Sequence, residues 1–276
     1  MKPAHVQLDP RSQGIPAQID EVMGPDRDLA CEPAQTRIRY LLCSTPRSGS
    51  TMIAGALRAT GVAGDPLEYL NPRLMWGWVR RSGCSPSAFD VLDYLRQIEA
   101  LRTSPGGVFG MKVHSYQLPL IWGKDWAAIR AFLASFDHLV FLTRRDKLAQ
   151  AVSLYRAQVT QIWTSDDYRF LDADDPRLRV QAGFRADLIA SALHQIARGE
   201  AGWARLIRVS GRPATTIEYE AAVEDMPGTL GAVLGLLGLP DVTPAPHGLA
   251  KQGATDDPLL RQFRIYLGPS DGPRRR

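Results

Sequence analysis

The sequence predicts an α/β domain in which a mainly parallel central sheet lies between two layers of helices. Three observations carry that expectation. Apolar, β-favouring runs alternate along the chain with segments of helical periodicity, the pattern of parallel strands joined by helical crossovers. One of these runs passes through a short glycine-containing loop directly into a helical pattern. A chain of 276 residues with 45% hydrophobic content also has enough apolar surface for an ordinary core.

The elements follow in order. Residues 1–36 are rich in Pro, Asp, Gln and Gly without sustained periodicity, so a poorly ordered leader is expected there, with one domain over 37–276. "RIRYLLCST" reads as a buried strand bounded by Pro46, and "STMIAGALRATG" as a helix stopped by Gly61. "GDPLEYLNPRLMWGWVRRSG" holds too much Gly and Pro for one long element. In "SPSAFDVLDYLRQIEALRT", Ser87 and Asp90 make a capping-box-like start, and Phe89, Leu92, Leu95 and Ile98 recur at helical spacing. "GGVFGMKVH" and "HLVFLT" read as strands on either side of the helix "WAAIRAFLASF". A helix "DKLAQAVSLYRAQVTQIW", a longer helical region over roughly 177–208, the strand "PATTIEY" and the helix "MPGTLGAVLGLLG" complete the pattern. Ligands of such sheets bind at the carboxyl ends of the strands.

Composition narrows the function classes. The formal charge is +4, but the leader carries −3, which leaves +7 on the remainder. A moderately basic body suits an anionic ligand. The excess is dispersed, and no basic tract interleaved with aromatics points to nucleic acid. The three cysteines, Cys31, Cys43 and Cys84, form no CxxC pair and have no histidine at ligand spacing, so neither a disulfide framework nor a metal site is expected. The first residues show no apolar signal core, and the apolar run "LGAVLGLLGL" is half of the ~20 residues that span a bilayer. A cytoplasmic protein without a transmembrane segment is expected.

The loop Pro46-Arg47-Ser48-Gly49-Ser50-Thr51 sits between strand and helix, where backbone N–H groups and a helix amino terminus converge on one anion. Gly49 allows a positive φ or close approach, the three hydroxyls add donors, and Arg47 supplies fixed charge. A nucleotide hydrolase would have GxxxxGK[ST] here. Position 50 is serine instead of lysine, and the first glycine of that pattern is missing, which disfavours a magnesium-ATP site.

"STPRSGST" resembles the 5′-phosphosulfate loop of sulfotransferases that use 3′-phosphoadenosine 5′-phosphosulfate. The longer run "PRSGSTMIAGALRATGVAGDPLEYL" is similar to the bacterial trehalose 2-sulfotransferase-like family of carbohydrate sulfotransferases. The resemblance implies a P-loop-like sulfotransferase fold, a carbohydrate or glycolipid acceptor such as a trehalose-like or lipopolysaccharide sugar, no metal requirement and a homodimer. It also implies a grip on the donor's 3′-phosphate by an arginine and a serine eight residues apart, matched here by Arg145 and Ser153. On a continuous helix these would lie about 12 Å apart along the axis, so the chain must turn between them. Near the carboxyl terminus, Lys251 and Gln252 match a basic loop over the nucleotide.

Glu68 matches the family's proposed catalytic glutamate, Asp65 an acidic position able to accept bonds from a sugar hydroxyl, Lys112 a position near the active site, and Trp163 a tryptophan of the acceptor site. Taken alone, Glu68 reads as a solvated loop carboxylate. As a base it needs partial burial to raise its pKa towards neutrality. His114, at a strand end, is a second candidate base. Of Trp76, Trp78, Trp122, Trp126 and Trp163, at least three are expected in the core. "NPRLMWGWVRRSG" departs from the pattern expected of a trehalose enzyme. Alternatives to this reading are a nucleotide-dependent kinase and a non-catalytic nucleotide-binding module.

Overall fold

The computed structural model describes residues 8, 15–29, 36–244 and 257–268. Its strands are β1 (Ile38–Ser44), β2 (Val108–His114), β3 (His138–Thr143) and β4 (Ala214–Glu218). They are parallel and lie in the order β2-β1-β3-β4, so the strand feeding the glycine loop is internal to the sheet. The helices, in chain order, are α1 (Pro16–Met23), α2 (Ser50–Ala59), α3 (Pro72–Ser82), α4 (Val91–Arg102), α5 (Gln117–Trp122) and α6 (Trp126–Ala134). Then come α7 (Lys147–Thr160), α8 (Pro176–Arg179), α9 (Ala186–Ser210), α10 (Tyr219–Glu224), α11 (Met226–Leu236) and α12 (Pro258–Leu267).

Alternation along the strands produces the three layers. Tyr40 and Leu42 of β1 pack with Val140 and Leu142 of β3 against Ile53 and Leu57 of α2 and Val233 and Leu234 of α11. Leu41 and Cys43 face the opposite layer, with Phe109, Met111 and Val113 of β2, helices α1 and α3 to α6, and Trp203 of α9. A separate cluster of Leu154, Tyr155, Ile189, Ile196 and Phe263 holds α12 to α7 and α9. The expected α/β architecture with its mainly parallel sheet is therefore the one observed.

Four local expectations are corrected. The leader contains α1, whose Ile19 and Met23 are buried in the main core. Eight residues in a polar background are too few to reveal a period, and the helix is held by docking on α3. Gly77 makes room for it, since a Cβ there would lie 2.6 Å from Ile19 Cγ2. The Gly- and Pro-rich stretch after Glu68 contains α3. Pro72 occupies its first turn, Asn71 Oδ1 caps it by accepting from Arg73 N at 3.1 Å, and Gly83 at φ 69° ends it. These residues mark helix ends rather than breaking a helix. Asp90, not Ser87, caps α4, accepting from Leu92 N and Asp93 N at 2.8 Å. The long helical region divides into α8 and α9.

Candidate active site

The glycine loop is fixed from three sides. Trp203 Nε1 donates to Ser44 O at 2.7 Å, and Gln150 Nε2, on α7, donates to Pro46 O at 2.8 Å and to Thr45 Oγ1 at 3.0 Å. Arg47 sits at φ 64°, a left-handed conformation costing a non-glycine residue about 1–3 kcal/mol. Its side chain offsets that cost, since Nε donates to Ser153 Oγ at 2.9 Å and Nη1 donates to Trp163 O. Gly49, at φ 82°, is required twice over. Its dihedral is left-handed, and an added Cβ would overlap the ring of Tyr219.

Helix α2 then starts with no side-chain cap, whereas Asp146 caps α7 and Asp257 caps α12. The amides of its first turn thus remain available to an anion, and Ser48 Oγ is buried beside them without a hydrogen-bond partner. These features fit a phosphate-bearing ligand.

The loop opens on a cleft of about 630 Å³, lined among others by Arg47, Thr51, Arg144, Ser153, Arg156 and Trp163. The structure brings Arg47, Gly49, Ser50, Thr51, Ser153 and Trp163 together here, but not Arg145. The Arg145 side chain is 72% exposed and ion-paired with Glu218. Arg144 takes its place, with its guanidinium 4.7 Å from the centroid of the Tyr219 ring, Nη1 donating to Arg47 O at 3.5 Å and a buried Nε without a hydrogen-bond partner. Just past the end of β3 the two side chains diverge, Arg144 to the Tyr219 ring and Arg145 to Glu218 of β4. Burial, and then the charge of Arg144, lower the pKa of Arg47. Arg47 and Arg144 both line the cleft and suit an anion of more than one charge, and Arg144 Nε also lies 3.9 Å from Glu220 Oε1.

Glu68 is brought in by the sheet edge. Leu67 forms an isolated parallel bridge with Met111, and Lys112 N donates to Leu67 O at 2.9 Å, which sets Glu68 beside the end of β2. Its Oε1 lies 3.1 Å from Lys112 Nζ and 3.3 Å from His114 Nε2, while its Oε2 accepts from Asn71 Nδ2 at 3.1 Å and Gln117 Nε2 at 3.3 Å. His114 Nδ1 lies 3.0 Å from Ser44 Oγ and 3.1 Å from Ser44 O. Glu68, Lys112 and His114 do not line the cleft themselves. Lys112 Nζ connects them to it, donating to Thr51 Oγ1 at 3.0 Å.

The expectation of a raised Glu68 pKa is overturned. Burial pushes the carboxyl up, but the adjoining His114 and Lys112 outweigh it and hold the group well below 4.5. A carboxylate with a depressed folded pKa stabilises the fold fully above its unfolded pKa and loses that contribution as pH falls through the folded value. Wild-type stability therefore contains a Glu68 contribution that is whole above pH 4.5 and absent in Glu68→Gln. Urea denaturation of both proteins from acid to neutral pH measures it. The gap should narrow only on the acid side, and a gap that closes near neutrality would contradict the assignment.

Asp65 is also corrected. Its side chain is 1% exposed and enclosed by Arg27 at 2.7 Å, Arg58 at 3.3 Å and Arg102 at 3.3 Å, so it has no face for a sugar hydroxyl. Trp76, Trp78 and Trp122 belong to the core, and Trp126 is half exposed beneath Arg205. Lys251 and Gln252 lie outside the described residues. Gln150, Arg73 and Tyr219 were missed. Gln150 and Tyr219 had no local signal, being an ordinary helical glutamine and a tyrosine just past a strand. Among the described residues, no group of three His, Cys, Asp or Glu side chains is placed to hold a metal ion, and no helix is long and apolar enough to cross a membrane.

The family model described as "Stf0 sulphotransferase" matches residues 39–257. The chain is 30% identical to the trehalose 2-sulfotransferase of Mycobacterium tuberculosis (strain ATCC 35801 / TMC 107 / Erdman), a match spanning 82% of this chain and 94% of that protein. It is 27% identical to the trehalose 2-sulfotransferase of Mycolicibacterium smegmatis, with the same coverage. A sulfotransferase from Alicyclobacillus acidocaldarius, solved by crystallography, superposes with a TM-score of 0.49 at 15% identity, over 82% of this chain and 89% of that one.

Proposed function

This chain belongs to the Stf0 sulphotransferase family, and from that premise we propose that it transfers a sulfuryl group from 3′-phosphoadenosine 5′-phosphosulfate to a hydroxyl of a carbohydrate or of the sugar of a glycolipid. The observation that carries the reading is the uncapped start of α2, shared through Thr51 and Lys112 with the Glu68 carboxylate. The likeness to two trehalose 2-sulfotransferases supports a sugar acceptor, with trehalose itself one possibility. The cytoplasm is the proposed location.

The donor supplies an activated sulfuryl group and a bisphosphate leaving group. The α2 amides, Ser48 and Arg47 receive the 5′-phosphosulfate end, and Arg144 with Ser153 receives the 3′-phosphate. Glu68, ionised at neutral pH, takes the proton of the attacking hydroxyl. Lys112 stands between Thr51 and Glu68, where one ammonium can follow negative charge from the carboxylate towards the leaving group. As Glu68 gains the proton, its hold on Lys112 and His114 weakens, which frees Lys112 for that second role.

Adenosine 3′,5′-bisphosphate is expected to raise the melting temperature without added metal. Arg144→Ala should weaken its binding about tenfold or more, by loss of a charge-assisted contact, and should barely affect an analogue lacking the 3′-phosphate. Arg145→Ala should change neither. Calorimetric titration of both variants with both ligands is the check, and a larger loss from Arg145 would restore the assignment drawn from spacing.

A further inference from the structure

We propose that Arg73 reads an anionic group on the acceptor, a carboxylate or a phosphate carried by the sugar whose hydroxyl approaches Glu68. The inference rests on the sulfotransferase reading and names its acceptor class. Arg73 lies in the second position of α3, five residues after Glu68, with its guanidinium 5.6 Å from the centroid of the Trp163 ring. Trp163 itself lines the cleft. The side chain is half-buried, yet among the described residues its guanidinium takes part in no hydrogen bond or ion pair. Of the other guanidiniums near the loop, Arg47 is bonded to Ser153 and Trp163 O, Arg156 is paired with Asp257, and Arg144 is the one assigned above to the donor.

Neither neighbouring carboxylate is bonded to it, and both already hold other partners. Both oxygens of Glu68 are occupied by Lys112, His114, Asn71 and Gln117. Asp167 accepts from Trp163 N at 2.7 Å, Gln18 Nε2 at 2.6 Å and Thr164 Oγ1. Helix stability does not account for Arg73 either, because a cation in the first turn opposes the helix dipole. An anion at this point would be favoured by the dipole of α3 and by a planar guanidinium able to bind carboxylate or phosphate with two parallel N–H groups. The charge of Glu68 does not forbid it, since Lys112 neutralises that carboxylate.

The test is calorimetric and needs no turnover. Protein saturated with adenosine 3′,5′-bisphosphate is titrated with methyl β-glucuronide, glucose 6-phosphate and methyl β-glucoside. At least one anionic probe should bind about tenfold or more tighter than the neutral glucoside, and the stronger of the two tells carboxylate from phosphate. Arg73→Gln should shrink that ratio to about twofold or less, and Arg73→Lys should retain part of it. Equal affinities in the wild type, no binding of either anionic probe, or a ratio that survives Arg73→Gln would each overturn the inference. The last of these outcomes would leave Arg73 as a prop for Trp163. Failure of the bisphosphate to bind in the first step would count instead against the sulfotransferase reading.

Discussion

Glu68→Gln is expected to lower the rate of sulfuryl transfer by about 10²–10⁴-fold, the usual contribution of a positioned general base, while bisphosphate affinity stays within about twofold. The substitution keeps the side chain's size and can retain the bonds from Asn71 or Gln117, so it removes mainly the charge. What it leaves behind is the Lys112 ammonium, 6% exposed, with Thr51 as its remaining bonded partner. Labelled-donor transfer into a sugar extract gives the rate, and calorimetry gives the affinity. Activity within about threefold of wild type would dismiss Glu68 as the base and turn attention to its neighbour His114, whose Nε2 lies 3.3 Å from Glu68 Oε1. Because Glu68 is held below 4.5, its limb in the pH profile of kcat/KM should fall on the acid side of that value. A limb near neutrality would belong to another group.

The second large effect concerns stability. Asp65→Ala should destabilise the fold by about 3–5 kcal/mol, the range for removing one partner from a buried ion pair. That is a large fraction of the ~5–15 kcal/mol that holds a typical domain together. Arg102 is fully buried, bonds Val22 O and Gly24 O and also pairs with Asp28, so Asp65 is the hub that ties α1 and its following turn to the sheet. Removing it takes away the carboxylate shared by the partly exposed Arg27 and Arg58 and leaves the fully buried Arg102 with Asp28 as its remaining counter-charge. Combining Asp65→Ala with Arg102→Met should cost less than the sum of the two single changes, since the second removes a charge that the first left less compensated. Urea denaturation of the four proteins measures this. A loss below about 1 kcal/mol, with a raised KM for acceptor, would reinstate Asp65 as a sugar ligand.

The parts legible in the sequence are those whose signal is local. β1, the loop at 46–51 and α2 announce themselves through an apolar run, a glycine that must adopt φ 82° and a helical period within about twenty residues. β2 and β3 were equally plain, because buried parallel strands read as short apolar runs between turn signals, and the edge strand β4 showed through the β-branched residues Thr215, Thr216 and Ile217. α1 was hidden, since its apolar residues matter only against a partner helix distant in sequence. α3 was obscured because proline and glycine mean opposite things at the ends and in the middle of a helix.

The sequence by itself determined the α/β class and the position of the glycine loop at the carboxyl end of a buried strand, and its family resemblance singled out Glu68, Lys112, Ser153 and Trp163 as candidates. Only the tertiary structure decided that Arg144 and not Arg145 faces the cleft, that Asp65 is a structural ion-pair hub, that Glu68 is held strongly ionised, and that Arg73, stacked over Trp163, takes part in no hydrogen bond or ion pair among the described residues. The physical reason is range. Periodicity and turn chemistry act between neighbours in the chain, whereas a charge takes its pKa and its role from whatever the fold places within a few ångströms. For Glu68 those neighbours are Lys112 and His114 on β2, and for Asp65 they are Arg27, Arg58 and Arg102.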